Sequence, residues 1–433
     1  MTLPQNHPSR IELNDEVHAR PPEALYAPCH ISFLALTSDA ATREQQLALL
    51  NELITSHGKP PHKTGTNHYS ANLGPFRVKW ERHTEFSRYM FIVEGEDREP
   101  FSTRAIDRVD PAWVARLPGQ LLTATNVELI QPKHSSVDYD FLSQRYFHGH
   151  GIIGASVSGG AGRAFTDFRI GPDGYSRLLV HQISLQPRQA GRIVQRLLEV
   201  DAYRMLALLA LPVARELGPI LSQCETDLVG ITASMVNATE KDEPELLNRL
   251  TRLEAEIENR NAKSYYRFAA AAAYYDLVQR RIAELREGRL EGLQQFEEFM
   301  ERRLAPAMST CRATAQRLDT LSLRIARATR LLSTKIDFTQ EQQNSELLAS
   351  MNRRAQLQLR LQQTVEGLSV AAVTYYIVGL VGYVAKGLKG AGLRVEPDVV
   401  MGISIPFVVL AAAYGVMQVR KHVTLEIDDK RDM

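Results

Sequence analysis

Apolar residues crowd toward the C-terminal end of this chain, and there the pattern is easiest to interpret. Leu368 to Ala385 and Val399 to Val419 contain no charged side chain, and each approaches the roughly 20 apolar residues that a helix needs to cross a bilayer. The pattern predicts two transmembrane helices, spanning about 368–385 and 399–419. In the first, Tyr375, Tyr376, Gly379, Gly382 and Tyr383 mix aromatic with small residues, and small residues in such helices mark close helix packing. Pro406 predicts a kink in the second.

Upstream the periods change. Tyr26 to Thr37 is a strand-like run, and behind Asp39, a good helix cap, Leu47, Leu50, Leu53 and Ile54 recur at helical spacing as far as Ser56. Phe76, Val78 and Trp80 alternate with Arg77, Lys79 and Glu81, the period of a half-buried strand, and Tyr89 to Glu94 predicts another. Between Ile152 and Gln182, Ser158-Gly-Gly-Ala-Gly and Gly171-Pro-Asp-Gly separate β-forming runs, which predicts an antiparallel meander. From Arg188 the chain is helical, with Pro212 and Pro219 expected to kink or break the first helix. Leu246, Leu250, Leu253 and Ile257 follow a coiled-coil seam, continued after Pro306 by Met308, Cys311, Ala315, Leu318, Ser322 and Ile325. A last helix from about Thr339 through Gln363 meets no stop signal before the first span.

The expected fold class is therefore α+β. An extended arm (1–25) precedes an α/β domain (26–187), a long-helix stalk (188–366), a transmembrane hairpin (367–420) and a tail (421–433). The stalk seam needs an apolar partner, which predicts a homo-oligomer.

Charge narrows the partners. Lys and Arg number 51 against 50 Asp and Glu, a balance that excludes a surface given over to nucleic-acid phosphates. Cys29, Cys224 and Cys311 lie far apart and match no CxxC spacing, as expected in a reducing compartment. The start lacks a basic stretch followed by an apolar one, so the N-terminal part is expected in the cytoplasm, and two spans return the C-terminus there. Arg353, Arg354 and Arg360 before the spans and Arg420, Lys421 and Lys430 after them agree modestly with that orientation, against Lys386, Lys389 and Arg394 between them. Residues 312–366 hold nine bases against five acids, an excess suited to anionic lipid headgroups or to a solvated face.

Two clusters could carry chemistry. Glu81, His83 and Glu85 alternate, so on a strand they share a face and could offer two carboxylates and an imidazole to a divalent metal such as zinc or manganese; the plainer alternative is a solvated face paired to Arg77, Lys79 or Arg82. Glu16, His18 and Arg20 in the arm could bind an anionic ligand, or Arg20 could tie the arm to a carboxylate. The glycine-rich turns lack the P-loop ending and the GxGxxG spacing, and no nucleophile elbow, HExxH or kinase set is present, so no enzyme is expected.

Two resemblances follow. Asn14-Asp-Glu-Val-His-Ala-Arg-Pro-Pro22 together with Lys79-Trp-Glu-Arg-His-Thr-Glu-Phe86 resembles the signature of a family of bacterial membrane-anchored proteins of unknown function. That resemblance implies the bacterial cytoplasmic membrane and supplies no activity. The order of parts, an α/β domain, long helices, one helix entering the membrane, a short loop, a second span and a basic tail, is similar to that of CorA-type divalent-cation channels. This likeness implies a homopentamer, with Gly379, Gly382, Tyr383, Lys386 and Lys389 at the pore or its mouth. Gly382-Tyr383-Val384 stands where those channels carry Gly-Met-Asn. Without the asparagine, and with bases at the mouth, magnesium selectivity is not expected. Ion transport on the CorA plan is thus the leading expectation, and a non-conducting membrane-anchored scaffold or sensor the alternative.

Overall fold

A computed structural model describes residues 4–11, 13–14, 21–62, 67–134, 136–392, 394 and 396–428, with side chains at all of these except 40 and 419–428. The chain forms two compact units, Met1–Arg330 and Leu331–Met433.

Among the described residues of the first unit, nine strands form one sheet in the order β2-β3-β4-β1-β5-β8-β7-β6-β9. The strands are β1 (Cys29–Thr37), β2 (His68–Asn72), β3 (Arg77–Arg82), β4 (Phe86–Glu94), β5 (Leu121–Ile130), β6 (Ile153–Val157), β7 (Gly162–Thr166), β8 (Ser176–Gln182) and β9 (Gly288–Arg289). β5 and β8 pair in parallel, and the other neighbouring strands of the sheet run antiparallel. The expected meander is β6-β7-β8, with Ser158, Gly159 and Gly160 at positive φ in its first turn. β1 is buried at every position but its last, because helices cover both faces of the sheet and its run of apolar residues suits a strand enclosed on both sides.

On one face lie α1 (Ala40–Ser56), a 3-10 turn (Ala105–Arg108), α2 (Pro111–Ala115) and α3 (Tyr139–Tyr146). The Asp39 carboxylate accepts from the Thr42 amide and the Thr42 hydroxyl accepts from the Asp39 amide, each at 2.8 Å, a reciprocal cap that starts α1 where the sequence predicts. Leu50, Leu53 and Ile54 then pack on Val78, Trp80, Tyr89 and Phe91. The Trp113 indole donates to the Leu49 carbonyl at 2.9 Å and joins α2 to α1.

The other face is covered by α4 (Pro187–Leu208), followed by α5 (Ala210–Val236) and the 43-residue α6 (Glu243–Leu285). The break between α4 and α5 falls just ahead of Pro212, which has no N–H for the preceding turn. Pro219 lies inside α5, which continues through it. A short α7 (Phe296–Arg303) leads into α8 (Ala305–Gly390), an 86-residue helix whose first part belongs to this unit.

The predicted seam is real, but its partner is internal. Leu246, Leu250, Leu253 and Ile257 of α6 and Met308, Cys311, Leu318 and Ile325 of α8 are buried within one chain. Thr329 bonds Glu254 at 3.0 Å between α8 and α6, and Arg317 bonds Glu225 at 2.7 Å between α8 and α5. Leu321 is buried more fully than the predicted Ser322. This seam therefore gives no reason to call for a second copy, contrary to the expectation from spacing alone.

The second unit holds the rest of α8 and α9 (Pro397–Asp428). Residues 341–365 are exposed at every position, and so are Leu368, Tyr375, Tyr376, Leu380 and Tyr383 beyond them. Within this unit Gly382 lies so close to Met401 that a Cβ there would overlap the sulfur, the close helix approach that small residues permit. α9 continues past Pro406.

By length and composition, three helical stretches among the described residues could cross a membrane: Pro187–Val236, Ala305–Gly390 and Pro397–Gln418. The most apolar part of each is 33%, 11% and 0% buried, respectively. The first was not expected. It runs from α4 into α5, where Leu206, Ala207, Ala210, Ala214, Leu217 and Leu221 are buried, so a third of its most apolar part serves the core; the other two leave nearly all of theirs exposed.

The segment 21–26 lies along the sheet and α4. Leu25 N–H donates to the Pro187 carbonyl at 3.1 Å, and the Lys79 ammonium donates to the Pro21 carbonyl at 2.8 Å. Gly191 of α4 makes this possible, since a Cβ there would collide with the Glu23 carbonyl. Gly191→Ala should therefore destabilise the protein by about 1–3 kcal/mol, measured by urea unfolding in mild detergent. An unchanged midpoint would contradict this seating of the segment.

Candidate functional site

β3 and β4 are joined by the turn 83–85, closed by a 2.8 Å bond from the His83 N–H to the Phe86 carbonyl. β3 stops at Arg82, so Glu81, His83 and Glu85 do not share a strand face as their alternation predicts. Glu81 is not on a solvated face either: α4 covers it and it is 1% exposed. Its carboxylate pairs with Arg88 and, at 3.0 Å, with Lys79. Glu85 is held by both terminal nitrogens of Arg267 at 3.0 and 3.1 Å. The His83 ring stacks on Phe86 with centroids 4.3 Å apart, its Nε2 3.9 Å from Glu81. Among the described residues no group of three or more His, Cys, Asp or Glu is placed to hold a metal ion; both carboxylates already face cations.

From Glu81 a chain of alternating charges crosses two helix layers. Arg88 reaches Glu199 of α4 at 3.1 Å, Glu199 pairs with Arg281 of α6, and Arg281 reaches Glu284 at 3.0 Å. Burial alone would raise the Glu81 carboxyl, but the Arg88 and Lys79 charges outweigh it and bring the group from 4.5 down to about 2. Glu199 follows the same logic: burial opposes its charge, Arg88 and Arg281 prevail, and its pKa is lowered. Beside this chain Asp201, also on α4, accepts from Thr123 at 2.7 Å and from Thr125 at 2.6 Å. The face of α4 turned to the sheet thus carries two buried carboxylates, each fully met by partners.

In front of the network opens a cleft of about 620 Å³. The turn and its strands contribute Arg82, His83 and Phe86, α1 contributes Arg43, α4 Tyr203 and α6 Tyr274. Arg43 donates to the Thr84 carbonyl, and its Nε is buried without an acceptor among the described residues. Arg82 donates to the Asn67 side-chain oxygen at 3.0 and 2.6 Å. Tyr203 and Tyr274 stack at 5.7 Å, and each meets the edge of Phe86 at 6.3 Å. Burial and the neighbouring carboxylates Glu199 and Glu85 raise the pKa of these two phenols, so they stay neutral.

The family profile described as "Protein of unknown function (DUF3422)" matches residues 5–423. The chain belongs to this family. No curated protein matches it. Membership of a family of unknown function is thus shown over nearly the whole chain, and it brings no activity to the cleft.

For this DUF3422 chain, the remaining predicted residues fall in two places. Glu16, His18 and Arg20 lie outside the described residues. Gly379, Gly382, Tyr383, Lys386 and Lys389 are on α8; Gly382 faces Met401, and Tyr383 is 76% exposed. Lys389 pairs with Glu396 at 3.0 Å, which offsets one base of the predicted mouth. Sequence reasoning missed Arg43, Tyr203 and Tyr274 altogether; they reach the cleft from three separate helices, and only the local motif Lys79–Phe86 pointed to the place.

Because Glu81 has a lower pKa folded than unfolded, its stabilising share is complete above about pH 4.5 and is lost as pH falls toward about 2. Glu81→Gln should cost about 3–5 kcal/mol at neutral pH, since Lys79 and Arg88 lose a buried counter-charge. It should also flatten the acid limb of stability in that window. Urea unfolding of the full chain in mild detergent at stepped pH checks both; equal stability with an unchanged acid limb would refute them.

Proposed function

We propose that the protein is a homo-oligomer of the bacterial cytoplasmic membrane, built on a CorA-like plan with both termini in the cytoplasm, that conducts an ion without magnesium selectivity. The carrying observation is the exposure of the second unit's apolar residues on α8 and α9, with none of the most apolar part of α9 buried in the protein. Such surface is stable in hydrocarbon and unstable in water. The 25 residues 341–365, exposed on every side yet carrying Leu347, Leu348, Met351, Leu357, Leu361 and Val365, support association with copies of the same helix, five being the number the CorA-like order of parts favours. An isolated helix in water gains little without such packing.

A second reading, a non-conducting scaffold or sensor anchored by the hairpin, is favoured by one detail. Thr374, one of the few hydroxyls of the first span, donates to the Val370 carbonyl of its own helix at 2.8 Å. Anionic lipid would then meet the bases before the first span.

Purified protein in mild detergent should run as a pentamer, and in proteoliposomes it should pass ions while taking up magnesium slowly. Lys386→Gln with Lys389→Gln should raise cation flux by weakening repulsion at the mouth. Fast magnesium-selective uptake would overturn the selectivity, no flux of any ion would favour the anchor, and a monomer would remove the oligomer.

A further inference from the structure

We propose that the cleft at the β3–β4 turn binds a phosphate-bearing small molecule with an aromatic ring, of the nucleotide class. The site lies wholly within the first unit, so this holds whether or not the protein conducts.

Charge gives the sign of the ligand. Arg88, Arg267 and Arg281 around the cleft each face a carboxylate. Arg43 and Arg82 do not: among the described residues they are held by uncharged acceptors, the Thr84 carbonyl and the Asn67 amide oxygen. Those bonds orient the guanidinium groups and leave their charge uncompensated. The buried Arg43 Nε still needs an acceptor, and the described lining contains no Asp or Glu. A divalent cation would be repelled here, whereas a phosphate accepts several N–H bonds from planar guanidinium groups.

The opposite wall gives the rest of the ligand. Tyr274, half-buried at the cleft, is backed by the buried rings of Tyr203 and Phe86, and its phenol ring suits a planar heterocycle laid against it. The volume of about 620 Å³ falls inside the roughly 300–1,000 Å³ of small-molecule sites. A bare phosphate would leave the exposed part of the Tyr274 ring in water, and an uncharged ring would leave the two arginines unmet.

The test is isothermal titration of the full-length protein in mild detergent with four probes: ATP, GTP, adenosine and inorganic tripolyphosphate. ATP or GTP should saturate a single site, with adenosine and tripolyphosphate each weaker by about tenfold or more. Arg43→Gln with Arg82→Gln should weaken the nucleotide by about tenfold or more, and Tyr274→Leu should weaken the nucleotide while sparing tripolyphosphate. If the glutamine pair unfolds by circular dichroism, Arg43→Lys with Arg82→Lys keeps the charges without the fork and should still lose nucleotide affinity. Failure of both nucleotides to bind wild type, unchanged affinity in the folded arginine variants, or tripolyphosphate binding as tightly as ATP would overturn the proposal.

Discussion

The buried relay from Glu81 through Arg88 and Glu199 to Arg281 fixes how the first unit is assembled. It begins on β3, passes through β4 and α4, and ends on α6. Glu81, Arg88 and Glu199 have been taken out of water and Arg281 is half-buried, so each needs its partner in place; removing one strands the next with an unpaired charge. The relay also sets the cleft. Arg82 follows Glu81 in the strand, Phe86 precedes Arg88 by two residues on β4, Tyr203 is one helical turn beyond Glu199 on α4, and Tyr274 lies two turns before Arg281 on α6. The residues that hold the layers together and those that line the cleft are therefore near neighbours in the chain.

The second unit obeys a different constraint. Its helices bury little of their own apolar surface, and apolar area left in water costs roughly 25 cal/mol per Å². Gly382 against Met401 is a contact of the kind that lipid-embedded helices use, where small residues let backbones approach. The stretch Pro187–Val236 turns part of its apolar surface inward, from Leu206 and Ala207 of α4 to Leu217 and Leu221 of α5, and is the most buried of the three that length and composition mark.

Local signals in the chain were dependable. The Asp39 cap, the glycine turns of the meander, the break ahead of Pro212 and the continuous α8 all follow from residues within a few positions of one another. Signals that depend on distant partners were not. β5 went unseen because Leu121–Ile130 carries Thr123, Thr125, Asn126 and Glu128 among its apolar residues, and those polar groups are acceptable only because Asp201, Ser32 and His30 meet them. Glu81 looked solvent-facing because Glu199, its partner through Arg88, is more than a hundred residues away. The α6 and α8 seam was legible as a seam, but a single spacing pattern cannot say whether the facing helix belongs to the same chain.

The dependence of the cleft on the relay is tested most directly by hydrogen exchange on the full-length Glu199→Gln protein in mild detergent. Loss of that charge should speed exchange in the β3–β4 turn and in the part of α6 between Arg267 and Arg281, well beyond any change elsewhere in the first unit. Exchange raised evenly across the unit, or only within α4, would contradict a relay that positions the cleft walls.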